Sequence, residues 1–224
     1  MNWQALLLTL KLAAVVSVLL LFIGAPIAYW IAFSRARWKF LVESVVALPL
    51  VLPPTVIGFY ALLAFGPNTG LGRFLTRIFG HGLAFTFEGL AIASVLYSLP
   101  FAVQPFAAGF ASVDPAFVNA AASLGAGRWR RFWRIVLPLS SSAVLTGFVL
   151  SFAHTVGEFG VVLMVGGNIP GVTRTVSVDI YDRVEAFDFA GANRTSVLLL
   201  CFSFVILAVM YGATKRAWRM GRQH

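Results

Sequence analysis

Ser151 and His154 are the residue types in this 224-residue sequence that could perform covalent chemistry, a hydroxyl nucleophile close to a base. Their separation of three residues gives them only a rough common face on a helix. A serine hydrolase also requires an acid that orients the histidine and donors for an oxyanion, and no signature of either accompanies the pair. The lone Cys201 lies in an apolar run and His81 in a loop with glycines, so no metal site is predicted. An enzyme is therefore the least favoured of three function classes.

Lys11 and Glu158 are two charges that fall inside long apolar runs, where a charged side chain is costly. Lys11 is six residues from Ala5 and Glu158 is seven residues from Val165, so both lie about 9 to 10 Å from the outer ends of their segments. We predict a structural ion pair between them, with His154 as a candidate third member. In the alternative, Lys11 extends to the outer interface and Glu158 faces water.

These residues belong to a sequence that is 59% hydrophobic and only 11% charged, with a mean hydropathy of +0.88. A hydrocarbon core about 30 Å thick requires about 20 apolar residues per helix. We predict an all-α, polytopic membrane protein, with residues 1–224 forming a single transmembrane domain. The first apolar run is longer than a signal-peptide core and is predicted to be a retained helix. The five predicted spans are residues 5–33, 41–66, 86–110, 139–165 and 195–213.

The distribution of positive charge predicts the orientation, because cytoplasmic loops carry the excess of Lys and Arg. With the N-terminus outside and the C-terminus in the cytoplasm, the cytoplasmic segments contain 11 such residues and the external loops contain five. The cytoplasmic residues are Arg35, Arg37, Lys39, Arg128, Arg130, Arg131, Arg134, Lys215, Arg216, Arg219 and Arg222. The external residues are Arg73, Arg77, Arg174, Arg183 and Arg194. The net charge of +9 thus reflects topology, and no nucleic acid partner is predicted.

Prolines interrupt two of the predicted spans. Pro49, Pro53 and Pro54 lie in the second span, and Pro100 and Pro105 lie in the third. Each proline removes a backbone donor and frees a carbonyl group. Such breaks are tolerated where neighbouring helices or a water-lined cavity satisfy the backbone. These two spans are therefore predicted to line a pathway, and packing kinks are the alternative.

The segment between the third and fourth spans predicts two short helices. Asp114 suits an N-cap, Pro115 the first helical position and Gly125 the residue just after the end. A second, basic and amphipathic helix is predicted to follow and to stop at Pro138. Its apolar face contains Trp129, Phe132, Trp133 and Val136. Such a helix could also lie in the membrane interface.

Seven residues of this segment resemble the EAA loop of ABC importer permeases. They are Asn119, Ala120, Ala121, Leu124, Gly125, Leu137 and Pro138. The resemblance implies a cytoplasmic coupling loop over residues 111–138, whose helix inserts into a groove of an ATPase subunit. Asn119 departs from the pattern, because glutamate usually stands there. The sequence lacks Gly-x-x-x-x-Gly-Lys-Ser/Thr, so ATP and Mg are expected to be used by that partner.

The resemblance extends along nearly the whole chain and is closest to molybdate permease subunits. The stretches that carry it are LPLVLPPTVIGFY at 48–60, GEFG at 157–160, GNIPG at 167–171 and TRT at 173–175. Sulfate and tungstate permeases share parts of these stretches. The resemblance implies a bacterial inner-membrane homodimer that imports molybdate by alternating access. It also implies two ATPase subunits, an external oxyanion-binding protein and no cofactor bound by this chain, with tungstate or sulfate as alternative substrates.

A route for an oxyanion must be polar, poor in cations and weakly binding, because tight binding would prevent release. The predicted spans contain six candidate hydroxyl groups: Thr55, Ser94, Ser98, Thr146, Ser151 and Thr155. Ser94 and Ser98 are one helical turn apart and could face one lumen. Alternatively, such hydroxyls bond a neighbouring helix or their own backbone. Secondary transport is the runner-up class, although it predicts more buried carboxylates than this chain contains and an even number of helices.

Overall fold

The computed structural model describes residues 2–220 and, within them, the side chains of residues 2–209, 211 and 212. Every regular element in this range is helical, which confirms the predicted all-α fold. Three helices are long and apolar enough to cross a membrane, and the number rises to five if each of two bent helix pairs counts as one span. The charges of Lys215, Arg216, Arg219 and Arg222, used in the prediction of orientation, lie outside the described side chains.

Helix α1 (Trp3–Phe33) covers the first predicted span. Asn2 caps it by accepting a hydrogen bond from the backbone N–H of Ala5. Its buried face, which includes Leu12 and Val16, packs against two later helices of the bundle. Pro26 lies inside α1 without ending it.

The second predicted span is not one helix. Helix α2 (Lys39–Val51) and helix α3 (Pro54–Ala64) meet at an angle of 112°. Leu52 is extended, and Pro53 and Pro54 cannot donate the hydrogen bonds that would continue α2. A short amphipathic helix that the spans did not include, α4 (Gly70–Phe79), follows.

Helix α5 (Phe87–Ala111) covers the third predicted span and forms the centre of the bundle. Thr86 caps it, and Pro100 and Pro105 lie inside an uninterrupted helix. Most of the surface of α5 is covered by neighbours, with Phe106 and Phe110 among the most deeply buried side chains of the described residues. These prolines therefore do not break the helix in the way that Pro53 and Pro54 do.

The next segment contains the two predicted short helices. Helix α6 (Pro115–Ser123) starts at Asp114, whose carboxylate accepts from the backbone N–H of Ala116 at 2.8 Å. Helix α7 (Arg128–Arg131), a π-helical turn (Phe132–Val136) and helix α8 (Leu137–Leu139) then form one continuous stretch.

The prediction that this helical stretch stops at Pro138 is wrong. The chain continues in helical conformation to Leu139 and bends by 78° at Ser140. Pro138 follows the π-helical turn directly and is the last residue but one of the stretch, so its missing N–H falls where the helical hydrogen bonding is about to end.

The fourth predicted span is also interrupted. Helix α9 (Ser141–Gly157) ends at Glu158, which has an extended backbone, and helix α10 (Gly160–Gly166) starts two residues later. Helix α11 (Val176–Glu185) and the long helix α12 (Phe189–Met220) complete the fold. Within this arrangement α1, α5 and α9 pack together, and α10 packs on α3.

Small residues allow these helices to approach closely, as is common in membranes. A Cβ atom added to Gly109 of α5 would lie 2.2 Å from the Cβ atom of Ala143 in α9. A Cβ atom on Gly58 of α3 would lie 2.7 Å from that of Met164 in α10. Helices α3 and α10, each of which follows an interruption of the preceding helix, therefore pack closely against each other.

Candidate coupling surface and buried polar site

Helix α6 projects from the bundle without a buried residue. Its apolar side chains nevertheless face outwards: Phe117 is 58% exposed, and Leu124, which caps the C-terminal end, is 89% exposed. Gly125 follows with φ of +79°, a conformation that glycine adopts without cost. The result is an exposed helix whose surface is largely apolar and made mainly of small residues.

The structure brings five of the seven predicted coupling residues together on this helix and its C-terminal turn. Asn119, Ala120, Leu124 and Gly125 are exposed, and Ala121 is half-buried. The turn is closed by two backbone hydrogen bonds, each 2.9 Å long, that reach the carbonyl oxygens of residues 121 and 122. The remaining two residues, Leu137 and Pro138, lie in α8, where they precede the bend into α9.

Ser98 connects α5 to α9 inside the bundle. Its hydroxyl oxygen lies 2.9 Å from Nδ1 of His154 and 3.0 Å from Oγ1 of Thr155. The imidazole ring of His154 stacks on Phe101 with ring centroids 3.9 Å apart. The spacing had suggested His154 as a third member of an ion pair with Lys11 and Glu158. Its side chain contacts Ser98 and Phe101 instead.

The other candidate hydroxyls do not form a continuous row. Thr146 and Ser151 donate hydrogen bonds to backbone carbonyl groups of their own helix, as Thr155 also does. Thr55 is exposed at the start of α3. Because Ser151 bonds to the carbonyl of Phe148 and His154 contacts Ser98, the Ser151–His154 pair of a hydrolase is not formed.

Glu158 occupies the break between α9 and α10 and is only 3% exposed. Neither of its carboxylate oxygens has a hydrogen-bond partner among the described residues, and the same holds for the hydroxyl of the fully buried Ser94. This buried, unpartnered polar site was not predicted. The sequence indicated a charge in an apolar run, but not that the helix would break beside it.

The predicted ion pair between Lys11 and Glu158 is wrong. The ammonium group of Lys11 lies on the exposed face of α1, 4.5 Å from the ring centroid of Phe87. A cation–π contact of this kind holds the charge at the surface of the bundle. The carboxylate of Glu158 is directed into the interior instead, so equal depth along two helices did not bring the two groups to the same face.

A second polar network, which sequence reasoning missed, organises the segment around α11. Asn168, at φ of +62°, donates to both oxygens of Asp182 at 2.8 and 2.9 Å and accepts from Nε of Arg174 at 2.6 Å. This network closes the turn that contains the GNIPG stretch. Its only sequence signal was the mixture of Asn, Asp and Arg in a segment predicted as a loop.

Asn2, which caps α1, is joined to the same segment. Asp179 accepts from Nδ2 of Asn2 at 3.0 Å and from Nε of Arg183 at 2.8 Å. Arg183 also donates to Asp188 at 2.9 Å. The backbone N–H of Gly191 and the Arg183 guanidinium hold the pKa of Asp188 below its usual value. Two of the predicted external arginines, Arg174 and Arg183, are thus neutralised by carboxylates.

Comparisons with known proteins agree with these features. The chain is 50% identical over 212 residues to the molybdenum transport system permease protein ModB of Azotobacter vinelandii, covering 94% of this chain and 93% of that protein. It is 35% identical over 209 residues to the protein of the same name from Escherichia coli strain K12, covering 93% and 91%.

The solved structure of the MetNI methionine ABC transporter in inward-facing conformations matches with a TM-score of 0.74. That match covers 96% of this chain and 95% of the solved chain at 15% sequence identity, so it establishes the fold alone. A family model described as the binding-protein-dependent transport system inner membrane component matches residues 24–217. With this match over most of its length, the chain belongs to the family of binding-protein-dependent transport system inner membrane components.

Proposed function

We propose that this chain is the membrane-spanning subunit of an ATP-driven importer for molybdate. The observation that carries the proposal is the exposed helix α6, which has no buried residue and ends in the exposed Leu124. An exposed helix with a largely apolar surface is suited to contact with a partner protein rather than with water. We infer that this partner is an ATPase subunit, which uses ATP and Mg while this chain binds no cofactor.

Movement of the ATPase subunits would reach the membrane through a short path. Helix α6 contacts α7 and the π-helical turn, which continue through α8 to the bend at Ser140. Helix α9, which starts there, packs against α5 and α1. A displacement of α6 would therefore tilt α9 within the bundle and open or close a route between two copies of the chain.

The buried polar groups support an oxyanion as the transported species. A tetrahedral oxyanion accepts hydrogen bonds, and a hydroxyl group such as that of Ser94, which has no partner among the described residues, can donate one without trapping the charge. No described arginine or lysine is buried beside them. Relatives named as molybdenum permeases favour molybdate. Tungstate and sulfate are the alternatives, since both are doubly charged tetrahedral anions.

The same reasoning gives the assembly and its orientation. We infer a homodimer, with two ATPase subunits on the side of α6 and an oxyanion-binding protein on the opposite side. The family description, which names binding-protein-dependent transport and an inner membrane, supports this arrangement. The charge distribution supports an external N-terminus and a cytoplasmic C-terminus. Secondary transport would instead predict uptake that follows an ion gradient and survives loss of the ATPase.

The experiment is uptake of radiolabelled molybdate into proteoliposomes that contain the permease, its co-expressed ATPase and the binding protein. Leu124→Glu should abolish ATP-dependent uptake, because it places a charge on the surface proposed to be buried against the ATPase. Leu71→Glu is the matched control, because Leu71 is 51% exposed on α4, away from α6. Normal uptake by Leu124→Glu, or uptake without ATP, would refute the proposal.

A further inference from the structure

An apolar groove of about 520 Å³ opens on the surface of the bundle beside the basic stretch that contains α7. Three elements form its walls: α1, the stretch from α7 to α8, and α9. The residues that line it are Leu21, Phe22, Ala25, Pro26, Trp129, Phe132, Trp133, Leu137, Ser141, Val144, Leu145 and Phe148. Its volume is in the range of pockets that bind small molecules.

The groove extends into the depth of one leaflet. Pro26 and Leu21 lie seven and 12 residues before the end of α1 at Phe33, which places them about 10 and 18 Å from that end. The hydrocarbon of one leaflet is about 15 Å thick. With the end of α1 at the membrane surface, where the predicted span places it, the groove would extend from that surface towards the midplane.

Aromatic side chains line the end of the groove that the basic stretch forms, and arginines neighbour them in sequence. Trp129 and Trp133, both exposed, line it from the basic stretch, and tryptophan is enriched at the level of lipid headgroups. The same stretch contains four arginines: Arg128, Arg130, Arg131 and Arg134. Within the described part of the chain, no carboxylate forms a salt bridge with any of them.

We propose that this groove binds one anionic phospholipid, with an acyl chain between α1 and α9 and the phosphate on the arginines of the α7 stretch. Guanidinium groups pair with phosphate through two parallel hydrogen bonds, and each basic residue near a membrane surface strengthens the binding of anionic lipid. Charge complementarity selects an anionic over a zwitterionic lipid. The inference requires only that this stretch lies at a membrane surface, so it does not depend on the transported anion.

The site would also connect lipid to coupling. The lipid would contact both the stretch that follows α6 and the first two turns of α9, on either side of the 78° bend. Occupation of the groove should therefore stabilise this bend and raise the ATP-dependent transport rate in membranes that contain anionic lipid.

The test is native mass spectrometry of the full-length permease, alone and in complex with its ATPase, released from nanodiscs of equal phosphatidylglycerol and phosphatidylcholine content. We expect one retained phosphatidylglycerol per permease chain. Arg130→Gln and Arg134→Gln should each lower the preference for phosphatidylglycerol about fivefold, from about 1 kcal/mol per basic residue. Arg73→Gln, on α4, is the matched control and should have no effect.

Groove occupancy is tested separately. Leu145→Trp should fill the groove and reduce retention of either lipid, whereas Leu19→Trp, on an exposed part of α1 outside the groove, should not. If Leu145→Trp fails to insert, Trp133→Ala removes an exposed wall residue and should also weaken retention. Three results would overturn the proposal. The first is equal retention of the two lipids, and the second is lipid retention that no groove variant changes. The third is loss of lipid whenever the ATPase is bound. The last result would assign the arginines to the ATPase interface.

Discussion

Nδ1 of His154 lies 2.9 Å from Oγ of Ser98, and this contact joins α9 to α5 inside the bundle. Oγ1 of Thr155 lies 3.0 Å from the same hydroxyl. Stacking of the histidine ring on Phe101 fixes its orientation. Because Ser98 contacts both residues, its side chain is a connection between the two helices as well as a candidate ligand in the proposed pathway.

Ser98→Ala should lower the stability of the protein in detergent by about 0.5 to 1.5 kcal/mol, because the half-buried His154 and the buried Thr155 would lose their contact with the serine hydroxyl. Ser44→Ala is the control, since the hydroxyl of Ser44 is exposed and bonds only to the backbone carbonyl of Phe40. Thermal unfolding of both variants, followed by the loss of soluble monodisperse protein, measures the difference. Equal midpoints for Ser98→Ala and Ser44→Ala would contradict the connecting role.

Glu158→Gln should leave the stability unchanged or raise it, because a buried carboxylate without a partner is costly and the amide has nearly the same shape. Lys11→Met should have a small effect, since Lys11 is exposed and contacts only the Phe87 ring. The two effects should add to within about 0.5 kcal/mol in a double-mutant cycle. A larger coupling energy would indicate an ion pair between Lys11 and Glu158 and would contradict the geometry described above.

Gly125→Val should impair coupling, whereas Gly125→Asn should be tolerated. Nothing lies within 4 Å of an added Cβ atom, so space does not limit the substitution. The cost comes from φ of +79°, which asparagine adopts far more readily than a β-branched residue. Stimulation of the ATPase by the loaded binding protein is the readout. Loss of that stimulation in both variants would contradict the conformational explanation. It would mean that the ATPase lies so close to residue 125 that only glycine fits there.

Reporter fusions after Lys39 and Arg134 should be cytoplasmic, and fusions near Asn68 and Asp182 should be external. The excess of basic residues in the segments proposed to be cytoplasmic is the reason. Alkaline phosphatase and green fluorescent protein fusions, which are active on opposite sides of the membrane, measure this directly. A cytoplasmic signal at Asp182 would refute the five-helix topology.

The sequence by itself determined the helical fold and the ends of several helices, because those features depend on local chemistry. Apolar runs about 20 residues long must form helices in a bilayer, and Asp114, Pro115 and Gly125 mark the limits of α6 through contacts within a few residues. Prolines were less informative. The adjacent Pro53 and Pro54 separate α2 from α3. Pro100 and Pro105, which are separated in sequence and packed by neighbours, do not interrupt α5.

The tertiary structure alone decided which polar groups meet. Lys11 and Glu158 have similar depths, but depth along a helix does not specify its rotation, and that rotation places Lys11 on the surface and Glu158 in the interior. Ser98 and His154 are 56 residues apart and meet because Gly109 and other small residues let α5 and α9 pack closely. Contacts between distant segments depend on how the helix faces fit together, and that fit is a property of the whole bundle rather than of any local pattern.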